Sequence, residues 1–140
     1  MAAPAIWWPA FAMVALTCAV WARMYVVRIG QMRRERISPQ SVATSAQVSA
    51  RLTDSAASDN FRNLFELPVL FYLALAVAAH TGVGNGVVLV LAWVFVALRY
   101  AHSAIQCTYN NVMYRFPVYT AGALVLWALW AVLAWRLLSA

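Results

Sequence analysis

Charge is scarce in this chain, and one kind of it is missing. Only 10% of the 140 residues are charged, against about a quarter in a soluble domain. Lysine does not occur; the ten basic residues are all arginine, set against four acidic ones. Two cysteines, Cys18 and Cys107, are too few for a disulfide framework or a thiolate zinc site. Cys18 falls inside an apolar run and is expected as a small core residue. No internal repeat is evident, which weighs against a transporter built from duplicated halves. What is there is apolar: 65% of the residues are hydrophobic. A chain this short keeps a large share of its atoms at the surface, so that much apolar surface calls for lipid rather than water around it.

Four apolar runs carry the excess: Ala5 to Val27, Leu64 to Ala79, a run starting at Val87, and Val118 to Leu138. A bilayer core takes about 20 helical residues, and in lipid only helices or closed barrels satisfy the backbone. Long runs without period-two alternation favour helices. The expected fold is an all-α membrane protein, a four-transmembrane-helix antiparallel bundle. Its spans are expected at about 5–27, 59–80, 86–108 and 116–138, with a loop at about 28–58. "HTGVGNG" (His80 to Gly86) reads as a tight turn. "ISPQ" holds a turn, "SVATSAQVSARLT" a surface helix, and "SDN" (Ser58 to Asn60) an N-cap for the second span.

Arg28, Arg33, Arg34, Arg36, Arg51 and Arg62 crowd the stretch after the first run. In a soluble protein such a cluster would suit nucleic acid. Here it reads as a topology signal or a contact with anionic headgroups, and no nucleic-acid partner is expected. The positive-inside tendency places this loop and Arg115 on the cytoplasmic side, and both termini outside. Arg136, near the C-terminus, dissents. Trp7, Trp8, Trp127, Trp130 and Trp135 suit anchors at the outer interface.

Two polar stripes interrupt the apolar background. Asp59, Asn63 and Glu66 recur at helical spacing in the second span, with Arg62 beside them; Arg99, His102, Gln106 and Tyr109 do so in the third. The second span starts where the third ends, so the stripes can face each other. A charge at mid-membrane costs about 3 kcal/mol on insertion scales, unless it is paired or lines a polar cavity. Two readings stay open: a Glu66–Arg99 ion pair that sets helix register, or a pocket for an anionic ligand. His102 suits either a hydrogen-bonded core position or a ligand contact. Arg115 and Arg23 suit snorkelling anchors or pocket walls. Pro68, beside Glu66, is expected to kink the second span. Phe71, Tyr72 and Leu75 read as packing. No metal site is expected.

The quoted residues "NFRNLFELPVLFY", "RYAHS" and Arg115 ahead of the last span resemble the MAPEG family, membrane-associated proteins in eicosanoid and glutathione metabolism; the likeness is closest to bacterial members. The resemblance implies a homotrimer of four-helix subunits that binds glutathione between neighbours near the cytoplasmic side, in a bacterial inner membrane. By position it implies that Arg62, Asn63, Glu66, His102 and Tyr119 hold glutathione, and that Arg115 stabilises its thiolate. The implied function is a glutathione-dependent transferase or peroxidase acting on lipophilic electrophiles; the alternative is a non-enzymatic scaffold or lipid-binding protein of the same fold. The chain departs from the family's enzymes at Asp59, Gln106 and Phe116, where they carry an arginine, a tyrosine and, in one member, a serine.

Overall fold

The computed structural model describes residues 5–139. Six α-helices account for most of it: α1 (Trp7–Arg34), α2 (Ser45–Arg51), α3 (Ala56–Asn63), α4 (Leu67–His80), α5 (Val87–Cys107) and α6 (Val112–Leu138). Four stretches are long and apolar enough to cross a membrane: α1, α3 and α4 together, α5, and α6. The protein is an integral, multi-pass helical bundle. Between 22% and 39% of each span is buried, so most helix surface faces outward while being apolar. Only a nonaqueous surround suits that.

α1 buries Pro9, Met13, Leu16, Val20 and Met24, spaced as one helical face. It runs past Val27 through the arginine cluster to Arg34. In the core, the Phe71 and Phe95 rings stack with centroids 4.4 Å apart. Leu75, Val88, Ala92, Leu126, Leu129 and Leu133 close around them. Phe71 and Leu75 are thus core, while Tyr72 lines an outer groove. Cys18 is exposed rather than in the core: it lies off α1's buried face and borders the same groove.

The segment between α1 and α3 carries a short 3-10 turn at Pro39–Val42 and then α2, which is opened by a capping box. The Thr44 hydroxyl accepts from the Gln47 N–H, and the Gln47 side chain accepts from the Thr44 N–H. Ser58 to Asn60 do not cap the second span. α3 starts at Ala56, and the Ser55 hydroxyl donates to Asp59.

The second span is broken rather than kinked. α3 ends at Asn63, a turn crosses Leu64 and Phe65, and Glu66 is the N-cap of α4. Pro68 sits in α4's first turn, where its missing N–H leaves no gap in the hydrogen-bond ladder.

At the far end, the turn between α4 and α5 closes tightly. A Cβ on Gly84 would sit 3.0 Å from Ile6, and Gly86 takes φ +54° as the N-cap of α5, a region that favours glycine. Arg136, near the C-terminus, is tied to this turn. Its Nη1 donates to the Val83 carbonyl at 3.3 Å and to the Asn85 carbonyl and side-chain oxygen at 3.4 and 3.2 Å.

Candidate functional site

α5 and α6 pack along each other, and α3 crosses α5 where α5 ends and α6 begins. That crossing collects polar side chains. Asn60 and Asn63, three residues apart on α3, both turn toward α5. Asn60 is fully buried; its amide nitrogen donates to the Cys107 sulfur at 3.3 Å and its oxygen accepts from the Ser103 hydroxyl at 3.2 Å. Asn63 donates to the Gln106 side chain at 3.2 Å. On α5, Arg99, His102, Ser103 and Gln106 are buried, while Tyr109, beyond the end of the helix, is exposed.

A cavity of about 150 Å³ opens here, lined by Asn63, His102, Val112, Arg115, Phe116 and Tyr119. Arg115 belongs to the first turns of α6, whose N-cap Asn111 accepts from the Met113 N–H at 2.9 Å. Asn110, in the left-handed region at φ +46°, accepts from Arg115 Nη1 at 2.6 Å and holds the guanidinium in place. A cation at a helix N-terminus adds to the positive end of the helix dipole instead of cancelling it. The two together make a strong attractor for an anion.

Behind this wall lies Arg99. It is 1% exposed, and its Nε, Nη1 and Nη2 have no hydrogen-bond partner among the described residues. Its guanidinium carbon lies 4.7 Å from the Tyr119 ring centroid and 5.2 Å from that of Phe95, so aromatic faces supply its main compensation. Tyr119 in turn packs against His102, with centroids 5.4 Å apart. The cavity therefore has two guanidinium groups on its walls or just behind them, and no carboxylate in its lining.

The six residues expected at a ligand site divide into two groups. Asn63, His102, Arg115 and Tyr119 line one cavity. Arg62 and Glu66 do not. The Arg62 side chain is 75% exposed, and its Nη1 lies 4.0 Å from Asp59. Glu66, at the break between α3 and α4, is exposed as well. Among the described residues Arg62–Asp59 is the one ion pair within 4.0 Å, so Glu66 and Arg99 form none inside a single chain. Arg23 serves elsewhere: it donates to the Cys107 carbonyl and caps the end of α5. Asn60 and Ser103 went unnoticed in the sequence. Asn60 looked like a cap, and Ser103 is small enough to pass within an apolar helix. The signal was the i, i+3 repeat of Asn60 and Asn63.

On the other side of α3 an apolar groove of about 440 Å³ runs between α1 and the α3–α4 break. Val14, Cys18, Trp21, Phe61, Phe65 and Tyr72 are among its walls. No curated protein and no solved structure matches the chain. The family model for the MAPEG family matches residues 6–135, nearly the whole length, and the chain belongs to that family.

Proposed function

We propose that this chain is a glutathione-dependent transferase or peroxidase acting on lipophilic electrophiles within the membrane. Membership of the MAPEG family fits a membrane protein of glutathione or eicosanoid metabolism, and members generally use glutathione. The observation that carries the reading is the convergence of Asn63, His102, Arg115 and Tyr119 on one cavity. A guanidinium, an amide, an imidazole and a phenol suit a ligand with carboxylate and thiolate groups.

The cavity is small. About 150 Å³ falls below the roughly 300–1,000 Å³ of complete small-molecule pockets, so one chain offers part of a tripeptide site. Arg62 and Glu66 point outward. In a homotrimer they would complete the pocket of a neighbouring copy, Glu66 meeting the ammonium group and Arg62 a carboxylate. An exposed carboxylate on a membrane span also has reason to be covered by protein rather than lipid. Arg115 would hold the glutathione sulfur as thiolate, since a nearby cation lowers a thiol's pKa. The sulfur would then attack an electrophilic carbon of a substrate arriving from the bilayer, forming a C–S bond as a leaving group departs with its electron pair, or as a double bond or epoxide opens and its electron pair takes up a proton from water. By the positive-inside tendency, the arginine-rich loop and the site would lie on the cytoplasmic side of a bacterial inner membrane, with both termini outside.

The test is thermal unfolding of the detergent-purified protein with and without millimolar glutathione, alongside Glu66→Gln and Arg115→Ala. A ligand at a hundred times its Kd stabilises by about 2.7 kcal/mol. The wild type should shift upward, and at least one variant should shift less. With a model electrophile, Arg115→Ala should lose on the order of 100-fold in turnover, the usual scale for removing one charge-stabilising donor. An unmoved wild-type transition would favour a lipid-binding or scaffold protein of the same fold. The apolar groove beside α3 is the feature that supports that second reading.

A further inference from the structure

α1 ends in a way that uses an arginine where glycine is the usual choice. The Ile37 N–H donates to the Met32 carbonyl at 2.9 Å, and the Glu35 N–H to Gln31. Arg36 between them takes φ +54°. This is the left-handed helix ending in which glycine carries no steric penalty, while any other residue meets its own carbonyl. Beside it lies a groove of about 470 Å³, lined by Ile29, Met32 and Arg33 from the last turns of α1 and by Arg36, Ile37, Ser38 and Pro39 from the turn. Its lining is mostly apolar, the polar side chains in it are those of Arg33, Arg36 and Ser38, and among the described residues no carboxylate lines it. The neighbouring Glu35 carboxylate accepts from Gln31 Nε2 at 3.0 Å.

The depth of the groove says what would meet it. Trp7 to Val27 is roughly 30 Å of helix, the thickness of a hydrocarbon core. Arg33 stands about 9 Å further along, at the level of headgroups. Two cations in a mostly apolar lining at that level complement one kind of molecule, a lipid with a negative head and greasy tails. We infer that the groove formed by the end of α1 and the Arg36–Pro39 turn binds an anionic phospholipid, with its phosphate between Arg33 and Arg36 and its upper chain along Ile29, Met32 and Ile37. The left-handed arginine then has a reason: glycine would relax the backbone and lose the charge. The site lies apart from the cavity at α3, α5 and α6 and does not depend on its chemistry.

That strain supplies a clean test. The full chain is placed in phosphatidylcholine nanodiscs or in the same discs with phosphatidylglycerol, and retained phosphatidylglycerol is counted by native mass spectrometry. Wild type should retain it selectively over phosphatidylcholine. Arg33→Gln or Arg36→Gly should each weaken retention about fivefold, and the double variant roughly thirtyfold. Arg36→Gly should unfold no earlier than wild type in phosphatidylcholine alone, because the substitution relieves the turn. Arg51→Gln, a surface arginine away from the groove, should retain lipid as wild type does. Equal losses in Arg51→Gln and Arg33→Gln would show diffuse attraction and overturn the site. Unchanged retention in the double variant, or displacement by soluble glycerol phosphate alone, would overturn it too.

Discussion

Where α4 turns into α5, the polar groups are spent on structure. Arg136 donates to two carbonyls and a side-chain oxygen of the turn, two glycines take positive φ, and the rings of Phe71 and Phe95 stack in the apolar core between the two ends. Where α3 meets α5 and α6, polar groups outnumber their partners. Asn60, Asn63, Ser103 and Gln106 satisfy one another, but Arg99 is buried with three unpartnered nitrogens, and Glu66 stands exposed at a helix break. The same residue type, arginine, is a staple at one end and, at the other, a buried cation held by aromatic faces with no hydrogen-bond partner among the described residues. Unmet hydrogen-bonding capacity in a buried place is costly. It sets this end of the bundle apart from the other.

That contrast can be broken by mutation. Phe71→Ala should have the largest effect, on the order of 3–5 kcal/mol of stability, because it empties a fully buried ring position. Chemical unfolding in detergent reads this directly. A loss below about 1 kcal/mol would mean that the apolar core is not what holds the bundle. Asn60→Ala should cost less, about 1–3 kcal/mol, by stranding the Ser103 hydroxyl in a buried place. It should also loosen α3 against α5, so faster amide hydrogen exchange across Ala56–Asn63 is the second readout. The smallest effect belongs to Arg136→Met, about 1 kcal/mol. Its mark should be local: quicker exchange and proteolysis at Val83 to Gly86, with glutathione response unchanged. If Arg136→Met altered glutathione response as much as Arg115→Ala, the division between the two ends would be wrong.

Much of the fold was legible because hydropathy is read one helix at a time. The four spans, the Gly-rich turn, the surface helix within 41–53 and the polar stripe at Arg99, His102 and Gln106 follow from composition and period alone. The stripe on the second span was legible only in part. Asp59, Asn63 and Glu66 share a face if one helix carries them all, but the chain breaks after Asn63 and restarts at Leu67. The break resets the angular phase, so Asn63 faces α5 while Glu66 faces out. Pro68 hinted at an irregularity, yet a proline is equally at home inside a kink and at a helix start. Asn60 was hidden for a similar reason: at the sequence level a buried amide and a helix cap look alike.

By itself, then, the order of residues determined the solvent, the number of spans and the family, because each depends on properties summed along the chain. Which polar groups meet, which face outward and which are left without a partner was decided only in three dimensions. Those outcomes depend on the relative rotation of packed helices, and a two-residue turn is enough to change it.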